Sequence, residues 1–363
     1  MYINYLDLFS ISFVPDNGKI SAFLKEEFKD SISEKRNNRL TIDLSFQEES
    51  REASDYILRD PVSYDSQGVY IFDKENKKVR IDFLTLGEKH SRISCDPNFH
   101  PPFFAILIDF LVSIYASKKD KILIHSSSFI YKGNVILCPA WRNVGKTNSL
   151  LNFMSEGAEY LADDWCLIND QGLIESIPKS ICLFDYNLSA FPNLASRIEP
   201  SLIPLIEFFD MTIEGKIEIN KAADQDIRKN MVLRVNPREL FPTQVSEVSR
   251  KVNFVFHLKK DLNSLNKSPK CISLDTEDLV RKTYEILRLE QSPFRLAYAV
   301  YKARTGTENS FIEKKKELFF NVARSAFKSS DNYQISVMRQ EETEQVKSQI
   351  LKKLEPNNAV FSL

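Results

Sequence analysis

The sequence predicts an α/β fold in three parts. A strand-and-helix core (residues 101–275) is flanked by a mostly β N-terminal subdomain (1–100) and a helical C-terminal region (276–363). Three observations predict it. Between residues 121 and 175, apolar strand-like runs alternate with one short helical run, the pattern of an α/β core. Before residue 95 the chain is short β-type runs between turn signals. After 276, Lys and Glu recur at helical spacing.

The N-terminal strands are read at Ile11-Ser-Phe-Val, Leu40-Thr-Ile-Asp-Leu, Val69-Tyr-Ile-Phe and Val79-Arg-Ile-Asp-Phe-Leu, with a charged helix near 20–33 and a hairpin turning at Lys74–Lys77. The longest apolar stretch, Pro101–Ala116, is interrupted by Asp109. It is shorter than the ~20 residues of a membrane helix and is expected as a buried amphipathic helix. Two buried strands follow, Ile122–Tyr131 and Asn134–Cys138, joined at Lys132-Gly133. A helix is expected over 146–156, ending at Gly157 as helices often end at a left-handed residue. A strand over Glu159–Ile168 comes next, with a turn at Asn169–Gly172. Residues 185–250 read as irregular, with Pro192, Pro200, Pro204, Pro237 and Pro242 among them, and Asn253–Leu258 reads as a further strand.

Composition narrows the function classes. With 49 Lys+Arg against 50 Asp+Glu the net charge is −1, so a strong field for nucleic acid is not expected. Glycine numbers only 9 among 363 residues, far below the usual ~7%, which excludes glycine-rich linkers and repeats. The five cysteines (Cys95, Cys138, Cys166, Cys182, Cys271) form no CxxC pair; neither a disulfide framework nor a thiolate zinc site is expected. Acidic rather than basic residues follow the first methionine, which argues against a signal peptide. A reduced cytoplasmic setting without a membrane partner is expected.

Chemistry concentrates in Ala140-Trp-Arg-Asn-Val-Gly-Lys-Thr147. The segment fits the phosphate-loop pattern GxxxxGK followed by Ser or Thr, except that Ala140 takes the place of the first glycine. In such a loop consecutive backbone N–H groups wrap a phosphate at a helix N-terminus. Ala140, Trp141, Arg142, Asn143, Val144, Gly145, Lys146 and Thr147 are therefore the candidate nucleotide-binding residues. Lys146 is expected to reach the β/γ-phosphates and Thr147 to ligate Mg²⁺. Asn143 is the non-glycine type that best tolerates a positive φ. Trp141 could stack on or occlude part of the nucleotide site, and Arg142 could add a cation near the phosphates or lie in solvent. Asp163 and Asp164 follow Lys146 closely, at the end of the next strand. One carboxylate there can hold Mg²⁺ while its neighbour points the other way and acts on a hydroxyl.

The short gap from loop to acidic pair resembles the HPr kinase/phosphorylase family and, more broadly, the P-loop fold shared with phosphoenolpyruvate carboxykinase. The resemblance rests on Ile124-His-Ser-Ser127, the hairpin Tyr131–Leu137, the loop through Thr147, Gly157 and Leu161-Ala-Asp-Asp-Trp165. It extends loosely to Val235-Asn-Pro-Arg-Glu-Leu-Phe-Pro242 and the Phe254 strand. It implies an ATP- and Mg²⁺-dependent kinase acting on a hydroxyl of a protein, peptide or small molecule. Carried over, Asp163 accepts the proton of the attacking hydroxyl, His125 orients Asp163, and Asp164 binds Mg²⁺ with Thr147. The loop departs from the family in having one glycine and in the bulk of Trp141 and Arg142. That keeps open a nucleotide-binding regulatory module with little catalysis, and NTP hydrolysis driving a switch. Arg228, Lys229 and Arg234 are candidate extra cations at the phosphate. The C-terminal helices are candidates for covering the core or meeting a protein partner, and a homo-oligomer is left open.

Overall fold

The computed structural model describes residues 1–47, 62–64, 69–195, 233–246, 248–261, 269–337 and 343–355. They form a mixed α/β structure around two large sheets. The first contains β1 (Tyr2–Tyr5), β2 (Phe9–Phe13), β3 (Ile32–Ser33), β4 (Thr41–Phe46), β5 (Val62–Tyr64), β6 (Val69–Phe72), β7 (Lys78–Ile81) and β8 (His90–Cys95). Its order is β3-β1-β2-β4-β8-β7-β6-β5, parallel at β2–β4 and β4–β8. Helix α1 (Lys19–Glu27) follows β2. The β6–β7 hairpin turns at 73–77, where the Asp73 carboxylate accepts from the backbone N–H groups of Glu75 and Lys77.

Helix α2 (Pro101–Ser117) begins with two prolines, which suit the first helical turn because their missing N–H has no intrahelical role there. Residues 107–116 are buried on every side, so the expected amphipathic pattern is absent there. The cause is its position: Phe9 of β2 packs against Tyr115 at 4.7 Å and Ser91 of β8 bonds its hydroxyl, while β9 lies on another side. A helix wedged between two sheets must be apolar all round.

The second sheet holds β9 (Lys121–Tyr131), β10 (Asn134–Pro139), β11 (Glu159–Ala162), β12 (Trp165–Asn169), β13 (Leu173–Ser176), β16 (Arg250–Lys251), β17 (Phe254–Lys260), β18 (Lys270–Ser273) and β19 (Asp331–Val337). Strands β14 (Ile181–Leu183) and β15 (Leu233–Val235) pair separately. The order is β16-β13-β12-β9-β10-β17-β19-β18, with β11 also on β9. β17 runs parallel to both β10 and β19. Both faces are covered, and the alternation is visible along β10. Val135 and Leu137 join the core shared with α2 and the first sheet, whereas Ile136 and Cys138 join a second core. Helix α3 (Lys146–Met154) lies on the second face.

The remaining helices are α4 (Asp185–Ala190), α5 (Pro192–Ala195), α6 (Pro237–Leu240), α7 (Thr276–Glu290), α8 (Ser292–Thr305), α9 (Ser310–Phe327) and α10 (Thr343–Leu354). Asn236 caps α6 by accepting from the Arg238 N–H. Helices α7 and α9 cover β9 beside α2, α8 reaches β5 and β6, and α10 packs on α3. The stretch expected to be purely helical thus contains β19, an inner strand of the sheet. Among the described residues no helix is long and apolar enough to cross a membrane. The five cysteines are free, three of them buried.

Candidate functional site

Strand β10 delivers the chain into the loop. Ala140 continues the extended backbone in a parallel bridge to Leu258 and is fully buried, a conformation that any residue adopts. The left-handed positions of the loop are Asn143 (φ 55°) and Gly145 (φ 104°). They turn the chain so that Gly145 caps α3, and Gly145, Lys146, Thr147 and Asn148 at that helix start line the cavity. Gly157 (φ 87°) closes the far side of the helix.

Lys146 is buried and its ammonium donates to the carbonyls of Ala140 (3.3 Å) and Trp141 (3.2 Å). Burial lowers its pKa, opposed by the charges of Asp164 and Asp163. The hydroxyl of Thr147 donates to Asp163 Oδ2 at 2.9 Å. The other carboxylate oxygen of Asp163, Oδ1, is buried and has no hydrogen-bond partner among the described residues. Burial, reinforced by the neighbouring charge of Asp164, raises the Asp163 pKa to about 6.

The strand expected over 159–168 is broken at these aspartates. The β9 register slips at Leu161, so that Tyr160 faces Phe129 and Ala162 faces Ser128. Asp164 then takes φ 65° while its carbonyl still accepts from Ser126 N–H. In a regular strand adjacent side chains point to opposite faces; here both carboxylates line one cavity. The expected opposition of the pair is thereby corrected.

Two pairings also differ from expectation. His125 Nε2 lies 3.0 Å from Asp164 Oδ1 rather than on Asp163, and Thr147 meets Asp163 rather than Asp164. The second Asp164 oxygen accepts from Lys179 at 2.7 Å, and Lys179 also contacts Asp109 of α2 at 3.3 Å. Asp164 is 39% exposed. Although burial pushes its pKa up, Lys179 and His125 carry it well below the usual carboxylate range. Burial and the Lys146 charge lower the pKa of His125, whose ring rests 4.5 Å from that of Trp165.

The cavity of about 540 Å³ is lined by Arg142, Asn143, Gly145, Lys146 and Thr147 on the loop side and by His125, Asp163 and Asp164 on the sheet side. Such a volume suits a small-molecule site. Phe72 and Lys74 of the β6–β7 hairpin, with Pro102, Phe103 and Ile106 of α2, line the cavity as well. Trp141 is 40% exposed and does not line the cavity, so it neither stacks in nor occludes it. Arg234 lines it but pairs with Glu27 at 2.9 Å. Arg228 and Lys229 lie outside the described residues.

Three site residues escape a reading of the sequence: Asp109, Lys179 and Glu290. Asp109 left a signal, as the charge interrupting an apolar run. Lys179 and Glu290 left none, because the loop between β13 and β14 and the end of α7 reach the cavity only through tertiary packing. Among the described residues no three His, Cys, Asp or Glu side chains gather to hold a metal ion. Thr147 and Asp163 nevertheless suit Mg²⁺, which takes one or two protein oxygens and completes its shell with phosphate and water. In comparisons with known proteins, the chain matches no family model and no curated sequence.

Proposed function

We propose that the protein is an ATP- and Mg²⁺-dependent kinase of the HPr kinase-like P-loop type, transferring a phosphoryl group to a hydroxyl. The observation that carries this reading is the Thr147–Asp163 contact at 2.9 Å, with the free buried Asp163 oxygen beside it, at the helix end that also holds Lys146. A buried carboxylate oxygen with no donor is costly, and a hard cation is the partner its chemistry fits.

Thr147 and Asp163 are the residues that would hold Mg²⁺, which supplies charge neutralisation on the transferring phosphates. Lys146 exchanges the Ala140 and Trp141 carbonyls for phosphate oxygens, and the α3 amides bind the same charge. Asp164, exposed to the cavity, accepts the acceptor hydroxyl's hydrogen bond while His125 and Lys179 hold the carboxylate in place. The bond between the γ-phosphorus and its bridging oxygen breaks, and one to the acceptor oxygen forms. The hydroxyl proton passes to Asp164 and then to solvent. Phosphoryl transfer asks mainly for positioning and charge, so a weakly basic Asp164 suffices.

A second reading, a nucleotide-binding regulatory module, is favoured by the Lys146 ammonium resting on its own loop carbonyls. One experiment separates the two. Wild type with Mg-ATP and labelled lysate should label an acceptor, and Asp164→Asn should keep nucleotide affinity while lowering transfer by about 10²-fold or more. Nucleotide binding without transfer in wild type favours the regulatory module. No ATP binding rejects both.

A further inference from the structure

We infer that Glu290, the last residue of α7, positions Arg142 as a second phosphate-binding cation, so that the C-terminal helices complete the nucleotide site. The inference rests on the kinase reading above and names a binding element that the loop alone does not provide.

Glu290 is only 4% exposed, and its Oε2 accepts from both Nε and Nη2 of Arg142. Arg142 is 52% exposed and lines the cavity together with Lys146. Gripping a guanidinium by one edge leaves Nη1 without a partner among the described residues, and the fork suits phosphate oxygens. A half-exposed arginine on a loop would otherwise sample many rotamers, and holding it in place spares that entropy on binding.

The other oxygen gives a second, independent observation. Glu290 Oε1 and His125 Nδ1 are both buried, both lack a hydrogen-bond partner among the described residues, and lie 3.9 Å apart. Two such orphans cost stability, so the arrangement is poorly explained as packing. A shift of about 1 Å would bring them within hydrogen-bond distance. His125 would then lie between Glu290 and Asp164, with one carboxylate on each ring nitrogen. Glu290 thus touches both halves of the site, the phosphate-binding arginine and the histidine behind the acceptor carboxylate.

The test compares Mg-ATP with AMP by titration calorimetry, since AMP lacks the β- and γ-phosphates. Arg142→Ala should weaken ATP binding by about 10–50-fold and leave AMP affinity within about twofold. Glu290→Gln keeps shape and loses charge; it should weaken ATP by about 5–20-fold, again sparing AMP. The double variant should bind no worse than Arg142→Ala alone, because the two act as one unit. Arg142→Lys should restore part of the loss.

Wild-type ATP affinity in either single variant, equal losses for ATP and AMP, or additive losses would each overturn the inference with the kinase reading intact. If Glu290→Gln fails to fold, Glu290→Asp, which draws the carboxylate back from Arg142 by one methylene, takes its place with the same two ligands and the same outcomes. Wild type that binds no ATP overturns the kinase reading and this inference together.

Discussion

Two buried amines lie one helical turn apart along α2, and their surroundings make them different groups. Lys179 meets Asp109 of that helix and Asp164 of the site. Burial alone would lower its pKa, but the two carboxylates hold it well above the usual amine range. Lys315 meets Ser113, four residues after Asp109, and Gln291 Oε1 at 2.7 Å. Burial and the charge of Arg295 push its pKa well below the usual range. A carboxylate or a hydroxyl on neighbouring turns decides which way the pKa of an amine in the same interior moves. Charge persists where the chain Asp109–Lys179–Asp164–His125 opens onto the cavity. It is disfavoured where the chain only packs.

The comparison breaks most sharply at Lys179. Lys179→Met should strand the Asp109 carboxylate in the interior and lower unfolding free energy by roughly 3–5 kcal/mol. Asp109→Asn in the same chain should recover part of this. The damage should be smaller at pH 5 than at pH 8, because Asp109, already raised by burial to about 6, takes up a proton. Denaturant midpoints at both pH values measure it; equal losses would show that the stranded charge is not the cause.

Asp163 sharpens the contrast from the opposite side, since its charge is kept at a cost. Its folded pKa of about 6 lies above the ordinary carboxylate value, so the folded state holds the proton more tightly than the unfolded chain. Stability therefore falls as pH rises from about 4 to about 6 and stays level above. Asp163→Asn removes that loss and should be more stable than wild type by roughly 3 kcal/mol at pH 8, with the gain vanishing near pH 4. The same variant should lose Mg²⁺-dependent ATP binding. Thermal melts at the two pH values check the first part and calorimetry the second.

The legibility of the site follows the same division. The loop, α3 and the acidic pair could be read because the pattern they match sets particular residue types at fixed local spacing. Val135–Leu137 could be read as a strand because a strand facing an apolar core on each side is a continuous apolar run. The orientation of Asp164 could not, since its left-handed backbone arises from a register slip against β9. Glu290 stands 148 residues from Arg142, and nothing in the local pattern around it distinguishes it from a solvated helix end. Strand β19 is hidden by its flanks, as only seven residues sit between two charged helices. Pairing with β17 fixes it, and pairing is not a local property. Strands β1–β8, between Tyr2 and Cys95, form a sheet of their own, yet one apolar cluster runs from Ile3 to Phe327.

The smallest expected effect concerns Lys315, where nothing is asked of the amine but packing. In the folded chain it resists protonation, whereas in the unfolded chain it binds a proton below its ordinary value of 10.5. Stability then rises with pH toward that value. Lys315→Met fills similar space with an apolar chain; Ser113 still donates to Phe110 O, and the Gln291 amide still donates to Asp109 O. The variant should gain about 1 kcal/mol at pH 7, and the gain should shrink as pH approaches 10. A loss of stability instead would show that the amine's two hydrogen bonds outweigh its desolvation, and that Lys315 works as a strut between α2 and the α7–α8 junction. The measurement is a melting series from pH 6 to 10. Its slope separates the two cases, because a strut held by neutral hydrogen bonds gives a constant difference between variant and wild type, whereas suppressed charge gives one that narrows.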